Sequence, residues 1–382
     1  MAEESYSTPP EPITTHLFEL CHTPDKGMGL FATAFIPVGT RIICEQPLLR
    51  ISKNKQHLAW TSYCKLNSRQ KAVFDSLSRC SGNNQFLEQA SRFHLISPED
   101  DDEKIEADVA EHVRVMSTFA CNNFLLGTKG QGVFETASRI NHSCRPNVYH
   151  CWNAMLQRET VHAIVDINPG EEVLTTYIGN GASYVPHEQR QDQLLQHYGF
   201  LCSCGACSDP TGQSDGLREA MSAIVWGLEQ YRQGAPKTNQ FIPETPTEAW
   251  LMAEDIIALL VREGLHYLEL AKACRTASVL ALNCNEAKKA LRYANQEVAI
   301  EKNCLGTELD DLKAKGVTAL CWLRHVDRVI EGYETPAASA LKTNKQPKTE
   351  EQKAADREKK KRKLARKREE AEALQKAQSA GK

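Results

Sequence analysis

The chain holds 382 residues, 41% hydrophobic and 25% charged, with a formal net charge of −3, a composition ordinary for a soluble globular protein and long enough for two cores. No apolar run approaches the ~20 residues that a membrane span needs, and the acidic, Pro-rich opening MAEESYSTPPEP has neither the basic nor the apolar region of a secretory signal. An intracellular protein is expected, and there its fourteen cysteines argue against a disulfide scaffold and for metal, catalytic or buried roles.

Residues 1–15 read as a tail. From 16 to 51 the pattern is strand and turn: AFIPVGTRIICEQ sets Pro-Val-Gly between two apolar stretches. Residues 55–125 change period. QKAVFDSLSRC and EADVAEHVRVMSTFACNNFLL carry apolar side chains at helical spacing on either side of the acidic SPEDDDE. This predicts a helical insertion, about 52–120, in a β-rich domain. Between 132 and 178 the strand pattern returns. Val161, Ala163 and Val165 alternate with polar or smaller positions, Asn168-Pro169-Gly170 supplies a tight turn, and Val173 begins the next strand. PHEQRQDQLLQHYGF predicts a helix with Pro186 at its start and Gly199 at its end, and with Leu194, Leu195 and Tyr198 on one apolar face.

Residues 211 to about 335 are helical in composition. GLHYLELAKACRTASVLALNCNEAKKALRYANQEVAIEKNCLG predicts an antiparallel helix pair with small residues at the crossings, without a clean 34-residue repeat. TPAASALKTNKQP reads as a linker, and the Lys/Arg/Glu/Ala-rich 350–378 as a solvated segment. From Pro336 onward 15 Lys+Arg stand against 7 Asp+Glu, a charge of +8, so the preceding 335 residues carry −11. An acidic body favours a basic partner. The tail, whose REKKKRKLARKR run from Arg357 to Arg368 holds nine basic residues, suits a nuclear signal or nucleic-acid contact, or simply a solvated charged helix.

Chemistry concentrates in a few stretches. Cys202, Cys204 and Cys207 place three thiolates within six residues, with Gly205 permitting a tight turn, and so point to tetrahedral zinc. A closed zinc site needs a fourth ligand, for which Cys144, Cys151, His150 and His142 are the candidates. Cys21, Cys44, Cys64, Cys80, Cys121, Cys274, Cys284, Cys304 and Cys321 stand alone and are expected mostly as small core residues. SRINHSCRPNVYHCWN, Ser138 to Asn153, sets His142 two residues before Cys144. That pair would suit a nucleophile with its base, a metal site or buried packing. KGMGLFAT, Lys26 to Thr33, is a glycine-rich entry to a strand that would bring backbone close to a ligand, though it lacks the third glycine of a dinucleotide loop.

Taken in order, GMGLFAT, CNNF, SRINHSCRPN, INPGEEVLTTY and YGFLCSCGAC resemble the SET-domain protein lysine methyltransferases, nearest to the SET-and-MYND branch and related fungal SET proteins. The resemblance covers most of residues 16–210 and continues more loosely into the helical region. It implies an α+β fold: a β-rich SET domain over 16–210 with a helical insertion and a post-SET zinc motif at 198–210. An all-α, tetratricopeptide-like domain over 211–335 and a charged, flexible tail over 336–382 would follow. It implies methyl transfer from S-adenosylmethionine to the side-chain amine of lysine in a protein, with a histone tail among the candidates. A monomer acting in the nucleus or cytoplasm, away from membranes, is expected.

By matching position, Gly27, Met28, Gly29 and Leu30 would form the first loop against the cofactor. Asn122 would line the cofactor and lysine site, and Asn141 and His142 would hold the cofactor. Tyr177 would be the catalytic tyrosine at the meeting of cofactor and lysine channel, Tyr198 would wall that channel, and Phe200 would pack on the adenine. Cys144 would complete one structural zinc with Cys202, Cys204 and Cys207. The chain also departs from the SET-and-MYND pattern. Leu49 to Ile105 holds only Cys64, Cys80, His57 and His94, too few for a two-zinc MYND module, so MYND-type partner binding is not implied. Two other functions fit the residues: a SET-fold scaffold that binds a basic partner without catalysis, and hydrolysis by a Cys144 thiolate free of metal.

Overall fold

The computed structural model describes residues 17–23, 26–52, 55–79, 85–94, 102–179, 184–307 and 318–332. The expected linker and basic tail lie outside the described residues. In chain order, β1 (Phe18–Thr23), β2 (Gly27–Ala32), β3 (Arg41–Glu45) and β4 (Leu49–Ser52) precede four helices. These are α1 (Ala59–Cys64), α2 (Ser68–Asp75), α3 (Gln85–His94) and α4 (Asp102–Asn122). Six short strands follow: β5 (Phe124–Leu125), β6 (Gly130–Val133), β7 (Asn141–His142), β8 (Val148–Asn153), β9 (Arg158–Ala163) and β10 (Leu174–Thr175). The chain then turns helical through α5 (His187–Tyr198), α6 (Gln213–Arg232), α7 (Pro246–Glu263), α8 (Leu268–Asn283), α9 (Ala287–Leu305) and α10 (Ala319–Ile330).

The strands form small sheets rather than one large one. β1 pairs with β2, β9 lies between β3 and β8, β6 lies between β4 and β5, and β7 runs parallel to β10. The sheets enclose a core of Ile36, Ile42, Ile43, Phe134, Ile140, Val161, Ile167 and Val173, each 1% exposed or less. Burying side chains of this size contributes about 1.5–3 kcal/mol each. The expected insertion between β4 and β5 is helical and has its own core, in which Phe74, Val115, Met116 and Phe119 pack against Leu49, Ile51 and Val133.

The strand expected over Val161, Ala163 and Val165 is β9, but it ends at Ala163, Val165 lies beyond it and is only half-buried, and burial does not alternate along it. Thr160 and His162 are as buried as Val161 and Ala163, because α9 packs across β8 and β9. The buried polar groups find partners. Thr160 Oγ1 donates to the Cys151 carbonyl at 3.2 Å, and Arg41 Nε donates to His162 Nε2 at 3.1 Å. The helices α6 to α9 share a core of Met221, Ile256, Leu260, Ala277 and Tyr293 that also takes Ile164 and Tyr149 from the strand region. The described residues therefore fall in one compact unit, Met1–Glu334.

Helix α5 begins after Pro186 and ends at Gly199, whose φ of 77° is the left-handed conformation that glycine adopts without strain. Its buried face differs from the expected one. Leu194 is buried, but Leu195 is 50% exposed, and the residue that shares the Leu194 face is Arg190, fully buried one turn earlier. Leu195 is rotated about 100° away from Leu194 on a helix, so the pair could not both face inward over a narrow contact.

In the insertion, His112 on α4 is 1% exposed. It stacks on Trp60 at 4.8 Å, and its Nδ1 lies 3.3 Å from His94 Nε2. Burial, aided by the charge of His94, lowers its pKa from 6.5 to about 4. A histidine harder to protonate when folded stabilises the fold above its unfolded pKa, and that contribution is lost as pH falls from 6.5 towards 4. The linkage amounts to about 2 kcal/mol at pH 5 and about 3 kcal/mol at pH 4. Chemical unfolding of the wild type between pH 7 and 5 should therefore show a loss of that size that His112→Phe lacks. Parallel pH profiles for the two proteins would refute it.

Candidate active site and metal centre

A cavity of about 430 Å³ lies where the N-terminal hairpin, the end of α2, the end of α4, the Ser138–His142 segment and the α5–Cys202 segment meet. Gly27, Met28, Asn122, Asn141, His142, Tyr177, Tyr198 and Phe200 all line it. Residues separated by up to 173 positions in sequence thus share one wall.

Tyr177 is one of the lining residues. Its Oη donates to the Ile140 carbonyl at 2.7 Å, and its backbone N donates to His142 Nδ1 at 2.9 Å. Its ring lies 4.9 Å from Tyr198 and 6.3 Å from Phe200, centroid to centroid. Burial raises the phenol pKa, helped by the neighbouring Tyr198 and Glu172 charges, so the hydroxyl stays protonated at neutral pH. Because its proton is committed to Ile140, the lone pairs of Oη remain for a second partner.

His142 is 4% exposed. Its Nδ1 accepts from Tyr177, which assigns the proton to Nε2, 3.4 Å from Cys144 Sγ. Burial lowers its pKa to about 4, so the ring is neutral and serves as a strut between Tyr177 and the cysteine cluster.

Asn141 ties three segments together. Its Nδ2 donates to Glu172 Oε1 at 2.7 Å and to the Met28 carbonyl at 3.2 Å, while Glu172 Oε2 pairs with Lys26 at 2.9 Å. Gly29 follows from this arrangement. A Cβ there would come within 2.8 Å of both Asn141 Nδ2 and Glu172 Oε1. Gly29 and Leu30 are therefore not brought to the cavity. Gly29 makes room for the Asn141–Glu172 bond, and Leu30 is buried in the sheet core at 1% exposure. Asn122, 6% exposed, donates from Nδ2 to the carbonyls of Ser78 and Thr118 at 2.8 and 2.7 Å, and so holds the end of α2 against α4.

Beside the cavity, the sulfurs of Cys144, Cys202, Cys204 and Cys207 all lie within 4.8 Å of one another, Cys144 and Cys207 at 3.5 Å. Four sulfurs bound tetrahedrally at ~2.3 Å would stand about 3.8 Å apart, so the donor set fits one zinc. Hydrogen bonds from the other sulfurs pull the Cys204 thiol far down and those to Cys202 push Cys144 up, as expected for thiols crowded around shared protons that a divalent cation would displace. Fully buried Arg190 brings Nη2 to 3.7 Å from Cys207 Sγ and anchors on the Val185 carbonyl and Asp215. Of the other fourth-ligand candidates, His150 pairs with Glu159 at 2.9 Å, and Cys151 contacts Thr160 at 3.4 Å on β8.

The isolated cysteines are more varied than expected. Cys274 and Cys304 are buried, Cys64 and Cys321 are exposed, and Cys21, Cys44 and Cys284 are half-buried. Cys121, expected as an isolated core residue, is disulfide-bonded and lines the cavity.

Several positioning residues carry no local motif. Glu45 on β3 accepts from the backbone N of Thr136 and Ala137 and so caps the Ala137–Arg139 turn that leads to Asn141. Its pKa is pushed up to about 7, chiefly by burial. Arg218 on α6 donates to the Cys144 carbonyl at 2.8 Å and to Glu263 Oε1 at 2.9 Å. Glu263, fully buried at the end of α7, also receives Ser214 Oγ at 2.6 Å and Arg145 at 3.0 Å. The helical region thereby grips the backbone of a zinc-ligand candidate.

Comparison with known proteins gives this arrangement its context. The family model described as SET domain matches residues 27–178. Histone-lysine N-methyltransferase set5 of Schizosaccharomyces pombe is 34% identical over 197 residues, 52% of this chain and 52% of that protein. Histone-lysine N-methyltransferase ASHR1 of Arabidopsis thaliana is 31% identical over 176 residues, 45% of this chain and 34% of that protein. N-lysine methyltransferase SMYD2 of Bos taurus is 37% identical over 93 residues, 23% of this chain and 20% of that protein. The match thus spans about half the length of the set5 protein and less of the other two. The solved SET domain of LSMT bound to lysine and AdoHcy aligns over 86% of this chain and 91% of that one at 12% identity, with a TM-score of 0.28, too loose a likeness to bear on function. Residues 27–178, about two fifths of the chain, match the SET domain family model, and that span holds the GMGLFAT, CNNF, SRINHSCRPN and INPGEEVLTTY motifs whose residues meet at the cavity.

Proposed function

We propose that this protein transfers a methyl group from S-adenosylmethionine to the side-chain amine of lysine in a protein substrate. The observation that carries the reading is Tyr177, protonated by burial and with its hydrogen committed to Ile140, in a wall shared with Tyr198 and Phe200. Gly27, Met28, Asn141, His142 and Phe200 would hold the cofactor, which supplies a methyl group already activated on a sulfonium. Cys144, Cys202, Cys204 and Cys207 would hold one zinc, which supplies a closed cross-link between the β7 end and the segment after α5.

The chain's own part is alignment and exclusion of water. Positioning of this kind contributes about 7–11 kcal/mol when alignment is good. A substrate lysine, with a reference pKa of ~10.4, must arrive neutral. Tyr198 and Phe200 disfavour its ammonium form by removing water. The free lone pairs of Tyr177 Oη accept from the amine and orient its nitrogen. The names of the set5 and ASHR1 relatives make histones the first substrates to try, and the −11 charge outside the tail suits a basic chain. Nuclear action follows from that choice. A SET portion to about residue 210, a helical portion to about 335 and a charged tail remain the proposed division. Among the described residues no helix is long and apolar enough to cross a membrane.

The test is radiolabelled methyl transfer to core histones and to cell extract. Tyr177→Phe should lower the rate by about a hundredfold or more, in line with loss of a positioned hydroxyl, while cofactor-induced thermal stabilisation persists. Stabilisation by the cofactor with no transfer to any protein would instead support the scaffold reading.

A further inference from the structure

The cavity that Tyr177 lines carries an imbalance of charge. Among the described residues around it, Lys26, Arg79 and Arg139 are basic and none is Asp or Glu, although the chain outside its tail is acidic. The three cations differ in what already holds them. Lys26 is neutralised by Glu172 at 2.9 Å. Arg79 is exposed and is satisfied by water. Arg139 is half-buried and donates to neutral oxygens, from Nη1 to the Ser76 carbonyl at 3.0 Å and from Nη2 to Ser76 Oγ at 2.6 Å. The acidic neighbour that bears on it, Glu135, is bound by Arg69 at 3.0 and 3.2 Å. Burial lowers the pKa of Arg139 and Glu135 offsets only part of that, as for a cation short of a counter-charge. Ser76 takes two of the five N–H donors of the guanidinium; Nε and one hydrogen on each terminal nitrogen remain for another partner.

We propose that Arg139 binds the carboxylate of S-adenosylmethionine. The inference rests on the methyl-transfer reading, which puts that cofactor in this cavity but leaves its carboxylate without a partner. The carboxylate is the one anion of a ligand that also carries an ammonium and a sulfonium. Gly27, Met28, Asn141, His142 and Phe200 offer it no cation, His142 being neutral. An ionised carboxylate that leaves water needs charge-assisted donors. Arg139 stands two residues before Asn141 and on the same cavity. Its guanidinium fork matches both carboxylate oxygens, as the ammonium of Lys26, already held by Glu172, does not. Because Arg139 is tied to Ser76, the bound carboxylate would also hold the end of α2 in the cavity wall.

Calorimetry on the full chain measures binding apart from transfer. The ligands are S-adenosylhomocysteine, which keeps the carboxylate and lacks the transferable methyl, and its carboxamide, the neutral near-isostere. The wild type should bind the acid about tenfold or more tightly than the amide, the scale of hydrogen bonds to a charged group. Arg139→Met should erase that preference by weakening the acid while the amide binds nearly as before. Arg139→Lys, which keeps the charge and loses the fork, should retain part of it. Equal binding of acid and amide by the wild type would overturn the proposal. So would an unchanged preference in Arg139→Met, and its loss in Lys26→Met instead would pass the carboxylate to Lys26. Acid and amide weakened alike in Arg139→Met would show that Arg139 only fastens α2, and would overturn the proposal too. A wild type that binds neither ligand would sink the methyl-transfer reading itself, and this inference with it.

Discussion

Replacing Cys144 with serine is expected to lower bound zinc from one ion per chain to a trace, while Cys151→Ser keeps the full complement. The two cysteines lie seven residues apart, but the structure separates their roles. Cys144 Sγ stands in the four-sulfur cluster, whereas Cys151 Sγ faces Thr160 Oγ1 across β8 and β9. A structural zinc contributes about 10–16 kcal/mol to small domains built around it. Here it would act on a segment, 199–208, whose other anchors are few. Among the described residues they are the reciprocal bonds between Gln191 and the Cys202 backbone, both 2.7 Å, the Arg190 contact to Cys207 Sγ at 3.7 Å and the Gly199 cap on the end of α5. Loss of the metal should therefore raise hydrogen exchange across 199–208 before it unfolds the sheets. Phe200 and Tyr198 stand in that region, so cofactor binding should weaken in parallel. Elemental analysis and exchange mass spectrometry read both effects. Stoichiometric zinc in the serine variant would remove Cys144 from the ligand set, and hydrolytic activity lost only with Cys144 would revive the nucleophile reading.

Much of this architecture was legible because periodicity reports burial wherever one face of an element is wet. The hairpins, the helical insertion and the α8–α9 pair follow from that signal. It failed where both faces are dry. In β9 the polar residues Thr160 and His162 carry the signature of a solvated face, yet α9, more than a hundred residues later, covers them. No local pattern contains that information. In α5 an arginine took the place of an expected leucine on the buried face. Arg190 reads as a surface residue until the thiol cluster and Asp215 that neutralise it are brought beside it by the fold.

The candidate site divides in the same way. Cys202, Cys204 and Cys207 announce themselves by spacing, and Tyr177, Asn141 and His142 by the order of motifs along the chain. The glycines were harder. Gly27 lines the cavity, but Gly29, two residues on, serves the Asn141–Glu172 bond. A glycine motif says that something approaches the backbone closely, not whether the neighbour is a ligand or a side chain. The sequence did hold one further clue, the acidic pair Glu171-Glu172 before the Tyr177 strand. Its second member is the hub that joins Lys26, Asn141 and Gly29.

The strongest effect on folding should come from a residue with no motif at all. Glu263→Ala is expected to lower the free energy of unfolding by about 3–5 kcal/mol, the usual cost of stripping one partner from a buried ion pair. The carboxylate is fully buried and meets Arg218, itself 1% exposed, and Arg145 and Ser214. Its removal takes the carboxylate of Glu263 from the buried Arg218 guanidinium, whereas Arg145, with a side chain 38% exposed, can recover water and adds little. Glu263→Gln keeps one acceptor and should cost less. The loss should also travel, because Arg218 holds the Cys144 carbonyl through the same guanidinium. Zinc affinity should therefore fall with Glu263→Ala although no ligand has changed. Denaturant unfolding gives the first number and competition with a chromophoric chelator the second. In a double-mutant cycle, Arg218→Met on the Glu263→Ala background should restore part of the stability, since the buried cation that lost its carboxylate is then removed as well. It should restore none of the zinc affinity. A cost below about 1 kcal/mol for Glu263→Ala, the range of an exposed pair, would show that the helical region does not fasten the metal centre in this way.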